Sequence, residues 1–190
     1  NSLDAVAAAA VAELGDLSTV AAPDGTATIF FSDMESSSAL FERLGDLRAN
    51  EILRAHNSIV REQVALHKGY EVKSMGDGFM IAFSGARRAL LCAIAIQRAF
   101  ATYCEQHPAT PIRVRIGLHV GEPINESADF FGKAVILASR IAALAHGGEI
   151  LVSATLHDLT ESAGDLRFAD VGEVQLKGLA GTHRIYKAIW

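Results

Sequence analysis

The chain has 190 residues, half of them hydrophobic, and its 17 basic and 22 acidic side chains leave a formal net charge of −5. That length suits one domain of ordinary size with a core of its own, and the acidic balance excludes a nucleic-acid partner, which needs a basic face. Cys92 and Cys104 make no zinc pattern and read as reduced residues of a cytoplasmic protein. No run reaches the eighteen or so apolar residues of a membrane span, and Asp4 and Glu13 stand where a signal peptide would be basic.

In chain order, Leu3, Ala7, Ala10, Leu14 and Leu17 form a three-four stripe of just over two heptads. It reads either as a helix packing on its own domain or as a coiled-coil lead that joins two copies to an upstream regulatory domain, so residues 1–22 are taken as a lead. Ala21-Ala22-Pro23-Asp24-Gly25 is a breaker cluster, and the main domain is expected over 26–190. Ala27–Ser32 reads as a buried strand. Glu35–Leu44 and Ala49–His67 read as helices separated around Gly45, and Tyr70–Met75 with Phe79–Phe83 as a hairpin about Gly76-Asp77-Gly78. Arg87–Glu105 is a long helix stopped near Pro108, and Ile112–His119 alternates apolar and polar residues as a half-buried strand does. Phe131–Ala145 is a helix, Glu149–Val152 a strand and Ala154–Thr160 a short helix. Leu166–Val174 and His183–Ile189 close the chain as strands, while Asn125 and Glu126 read as a hairpin or loop tip. A β-α-α-β-β-α-β core followed by more strands predicts an α+β, ferredoxin-like layer with an antiparallel-rich sheet.

Two segments stand out, Ile29-Phe30-Phe31-Ser32-Asp33-Met34-Glu35 and Val72-Lys73-Ser74-Met75-Gly76-Asp77-Gly78-Phe79. Each sets one aspartate at the end of an apolar run. An unpaired carboxylate is expensive to take out of water, so the pair reads as oxygen ligands for a hard divalent cation. Two carboxylates with phosphate oxygens suffice for Mg²⁺ or Mn²⁺ chemistry on a nucleotide. Each residue also has a plainer reading. Asp33 caps the next helix and Asp77 fills a tight turn; Arg115 and Arg140 make surface salt bridges; Lys177 is a solvated turn lysine; Lys73 pairs locally with Asp77. None of the seven histidines shows metal spacing.

Phe31-Ser32-Asp33-Met34-Glu35-Ser36-Ser37, Lys73-Ser74-Met75-Gly76-Asp77-Gly78, Arg115-Ile116-Gly117-Leu118-His119-Val120-Gly121, Asp129-Phe130-Phe131-Gly132, Ala138-Ser139-Arg140 and Leu176-Lys177-Gly178 occur in one order. In order and spacing the chain resembles class III nucleotidyl cyclase catalytic domains, from about Thr26 to its end. The resemblance implies a head-to-tail homodimer with sites shared across the interface. It implies that Asp33 and Asp77, helped by the Met34 carbonyl, hold two metal ions, Mg²⁺ or Mn²⁺, and that Arg115 of the same protomer binds phosphate. The other protomer would supply Lys73 and Asp129 to read the base, and Arg140 and Lys177 to bind phosphates.

Adenine offers a 6-amino donor and an N1 acceptor, so Asp129 as acceptor and Lys73 as donor are complementary to it, whereas guanine reverses the need. In the family a Lys-Asp pair marks adenylate cyclases, so the expected reaction is ATP to 3′,5′-cyclic AMP and pyrophosphate. The chain departs from the family at Ile136, four residues before Arg140, where an asparagine is usual. An isoleucine donates no hydrogen bond, which leaves an ATP-binding module without turnover as the alternative.

Overall fold

A computed structural model describes residues 20–190, and the stripe predicted at 3–17 lies outside the described residues. The elements run β1 (Ala27–Met34), α1 (Ser37–Leu44), α2 (Asp46–Leu66), β2 (Tyr70–Ser74), β3 (Gly78–Phe83), α3 (Ala86–Gln106), β4 (Val114–Gly121), β5 (Ile124–Glu126), β6 (Asp129–Phe131), α4 (Lys133–Leu144), β7 (Ile150–Ser153), α5 (Ala154–Thr160), β8 (Arg167–Gln175) and β9 (Thr182–Ile189). Seven strands form one sheet in the order β2-β3-β1-β4-β7-β9-β8, and β5 pairs with β6 in a separate hairpin. The first four neighbours, β2-β3-β1-β4, are antiparallel throughout, as the ferredoxin-like expectation requires. The one parallel pairing among the described strands is β4 with β7.

The apolar runs end up where both faces of the sheet are covered. β3, Gly-Phe-Met-Ile-Ala-Phe, is buried at every position, as a strand flanked by helices on both sides must be. On one face lie α2 and α3. α2 buries Ala49, Ile52, His56, Val60 and Val64, a three-four stripe, and with α3 it closes over Phe30, Phe79, Ile81, Phe83 and Ile116. On the other face α4 lies over Ile29, Met80 and Ala82 through Ala138. α4 comes very close to β4: a Cβ at Gly117 would stand 2.2 Å from the Ala142 backbone nitrogen, so only glycine fits there.

Several boundaries differ from the expectation. α2 begins at Asp46, so Gly45 alone, at φ 76°, separates it from α1. Glu35 is outside α1, which starts at Ser37 after Ser36 in a left-handed conformation. Phe131 belongs to β6 and not to α4; the β5–β6 turn is closed by Ser127 and Ala128, both at positive φ. Among the described residues no helix is long and apolar enough to cross a membrane.

Candidate active site

The sheet register builds the site. Asp33, next to last in β1, lies opposite Gly78 on β3 and opposite Arg115 on β4, so the motifs around residues 33, 77 and 115 converge at one end of three adjacent strands. Asp77 occupies the β2–β3 turn, whose carbonyl accepts from the Met34 N–H at 3.2 Å. Gly78 permits this approach, since a Cβ there would meet the Ser32 carbonyl at 2.7 Å. Arg115 Nε and one terminal nitrogen donate to Asp33 Oδ2 at 3.1 and 2.5 Å. Ser37 Oγ donates to Asp77 Oδ2. Neither aspartate caps a helix.

Among the described residues, neither Oδ1 atom of the two aspartates accepts a hydrogen bond. Two carboxylates with one oxygen each held and one each open, beside the Met34 main chain, form an all-oxygen donor set of the type a hard divalent cation takes. The residues fit the expected ions. A cavity of about 290 Å³ opens beside them, lined by Phe31, Asp33, Met75, Arg115, Ser139 and Ala142 among others.

Lys73 and Asp129 form a second centre. Lys73 Nζ donates to both carboxylate oxygens of Asp129, at 3.0 and 2.9 Å, across 56 residues of sequence. The Lys73 ammonium, and then the Phe130 N–H at 2.8 Å, hold the Asp129 carboxyl below the usual range. Lys73 therefore pairs with Asp129, and the local pairing with Asp77 is not formed. Arg140 sits on α4, where its Nε is buried without a hydrogen-bond partner among the described residues. Lys177 is exposed in the β8–β9 turn, which also borders a cavity. Among the described residues, no hydrogen bond or ion pair joins Arg140 or Lys177 to either centre.

Sequence reasoning missed Ser37, Ser139 and Glu35. Ser37 had a signal, being one of three serines just after the Asp-Met-Glu string. His56, His107 and His157 stack on aromatic rings. His157 comes within ligand distance of Asp158 and Glu161, yet its ring is stacked on Tyr186 at 3.8 Å, which accounts for its place. Burial raises the Cys92 thiol to about 12, so it is inert.

Residues 19–188 match the family described as the adenylate and guanylate cyclase catalytic domain. The chain is 31% identical over 223 residues to the adenylate cyclase of Podospora anserina, covering 88% of this chain and 10% of that protein. The chain spans between 7% and 53% of the length of the curated relatives it matches. Among solved structures, the adenylate/guanylate cyclase/hydrolase from Silicibacter pomeroyi superposes with a TM-score of 0.79 at 31% identity, covering 86% of this chain and 96% of that one. The guanylate cyclase domain of RhGC from Catenaria anguillulae, solved with GTP, shares the fold at 20% identity, with a TM-score of 0.76 and 87% and 96% coverage. Converging aspartates, a paired lysine and aspartate, and a family match that spans almost the whole described chain leave one assignment: this chain belongs to the adenylate and guanylate cyclase catalytic domain family.

Proposed function

We propose that the chain is an adenylate cyclase that converts ATP to 3′,5′-cyclic AMP and pyrophosphate at sites shared between the two protomers of a head-to-tail homodimer. The observation that carries this reading is the Lys73–Asp129 pair, a donor and an acceptor side by side that match the N1 and 6-amino groups of adenine. A purine with the opposite arrangement of donor and acceptor would meet both groups of the pair in the wrong sense.

The remaining residues take roles that follow from their chemistry. Asp33 and Asp77, with the Met34 carbonyl, would hold two Mg²⁺ or Mn²⁺ ions. When bound, such ions neutralise triphosphate charge and make the ribose 3′-hydroxyl easier to deprotonate. That hydroxyl attacks the α-phosphorus in line and pyrophosphate leaves. Arg115 holds Asp33 in place and keeps donors within reach of phosphate oxygens. Arg140, with a buried Nε that is unpaired among the described residues, and Lys177 would meet the phosphates of the partner's site, where fixed cations stabilise the charge that develops on the phosphoryl oxygens. Met75, Phe131 and Ile136, which lie on or beside the α4 face, are each more than 40% exposed; exposed apolar side chains beside the site support the shared-site arrangement, in which a second copy would cover them. The longer relatives support an upstream regulatory domain, and reduced cysteines with a nucleotide substrate support a cytoplasmic setting.

A second reading, a dimer module that binds ATP without turnover, is favoured by Ile136 alone. Purified protein given Mn²⁺ with ATP or GTP, and mass spectrometry of the products, separates the two. We expect cyclic AMP in clear excess over cyclic GMP. Asp33→Ala and Asp77→Ala should each lose about a hundredfold or more of the rate with the melting temperature kept. ATP binding without cyclic product establishes the regulatory module instead.

A further inference from the structure

Glu35 follows the metal-side strand directly and turns away from the candidate cation site. Its backbone N–H donates to the Arg113 carbonyl at 2.8 Å, and its Oε1 accepts from the Gly147 N–H at 2.9 Å, across 112 residues of sequence. Gly147 lies in the 145–149 loop that joins α4 to β7. No positive φ requires glycine there; space does, because a Cβ at 147 would stand 2.4 Å from Glu35 Oε2 and 2.7 Å from the Arg113 Cβ. The glycine is thus explained by the carboxylate it admits.

The loop offers Glu35 a fixed anchor. The Gly148 N–H donates to the Val114 carbonyl at 2.9 Å, Trp190 Nε1 donates to the Gly148 carbonyl at 2.8 Å, the His146 N–H donates to Glu149 Oε2 at 3.0 Å, and Gln97 Nε2 reaches the Glu149 carbonyl at 3.3 Å. Against that anchor, the segment that Glu35 holds is the one on which the cation site depends. Met34 offers its carbonyl, Ser36 sits in a left-handed conformation, and this turn delivers Ser37 to Asp77.

We propose that Glu35 is a positioning residue for the cation site: by gripping the Gly147 amide it fixes the main chain of residues 34–36, and so sets the affinity of Asp33 and Asp77 for a divalent cation. This rests on the reading of those two aspartates as cation ligands. A partner that orients a ligand without touching the ion typically changes metal affinity about 10–100-fold when removed. The latch also ties the metal end of β1 to the helix that carries Arg140.

The test is Mn²⁺ titration of the whole chain without nucleotide, with free Mn²⁺ read by electron paramagnetic resonance. Glu35→Ala should weaken Mn²⁺ binding about tenfold or more. Glu35→Gln, whose amide oxygen still accepts the Gly147 N–H, should stay within about twofold of the parent; an effect of the carboxylate's charge on the cation would not be rescued in this way. Asp33→Asn marks the site. Parent binding that Asp33→Asn abolishes but Glu35→Ala leaves unchanged overturns the latch and spares the cation site, and so does Glu35→Gln binding as weakly as Glu35→Ala. Binding that Asp33→Asn does not alter, or no binding by the parent, overturns the cation site and the latch with it. Thermal melting in chelator confirms that each variant is folded.

Discussion

On the face covered by α2 and α3 the sheet presents Phe30, Phe79, Ile81, Phe83 and Ile116 to a continuous apolar core, whereas on the face covered by α4 it presents Ala27, Ile29, Met80 and Ala82, with Asp33 and Arg115 at the open end. One face uses large side chains and two long helices. The other has a smaller apolar cluster under a single helix, and leaves apolar residues such as Met75 and Ile136 exposed beside charged ones. Stability is concentrated on the first face, and the second is left free to be completed by another molecule. Each face encloses one histidine. His56 lies between Phe79 and Phe100, and burial lowers its pKa from the usual imidazole value. His119, on the α4 side, accepts from or donates to Ser153 Oγ at 2.8 Å, and burial with the nearby His183 brings its pKa down to about 4.

The largest contrast should come from deleting an aromatic ring on the core face. Phe30 is fully buried, with its ring 6.0 Å from that of Phe83, so Phe30→Ala should cost about 3–5 kcal/mol in urea unfolding. A loss below about 1 kcal/mol would erase the difference drawn between the faces.

Acid sharpens the comparison from the thinner side. A histidine whose folded pKa is depressed binds its proton more readily when unfolded, so the stability it contributes is complete above the unfolded value of 6.5 and is lost as pH falls toward the folded value of about 4. The span is about 2–3 kcal/mol. His119→Gln should remove that part of the slope, leaving the variant's unfolding free energy flatter than the parent's between those limits. Parallel slopes would show that His119 is not held neutral.

The smallest effect probes the open face itself. Ile136→Asn replaces an exposed apolar side chain, so it should leave the melting temperature nearly unchanged while raising kcat for cyclic AMP formation roughly tenfold, about 1–2 kcal/mol of transition-state stabilisation. A fall in kcat would assign Ile136 to the contact between copies.

Much of this was legible in the chain because local patterns and their order carried it. The apolar run at 27–32 marked β1 as a buried strand, the alternation over 112–119 marked β4, and the Gly-Asp-Gly string marked the turn that holds Asp77. The Lys73–Asp129 pairing followed from the family resemblance rather than from spacing, and the structure forms it within one chain. What could not be read depended on long-range or unsignalled geometry. The Glu35–Gly147 hydrogen bond spans 112 residues, and nothing near either residue announces the other. The β5–β6 hairpin has strands of three residues and a Ser-Ala turn at positive φ, which lacks the Asn-Gly chemistry that usually flags such turns. Phe131 was therefore drawn into the following helix.

The contact of Gly117 with Ala142 has a mechanical consequence. Where main chain rests on main chain, no side chain is available to repack, and α4 cannot slide along β4 without lifting off it. Arg140 stands two residues before Ala142, so its address is dictated by the path of the strand beneath. Any change of posture that brings Arg140 toward or away from a partner's phosphates must carry the helix and the sheet together as one rigid plate. In the proposed dimer the adjustable joint would be the seam between two chains, and a regulator acting on such a pair would have to turn whole protomers against each other.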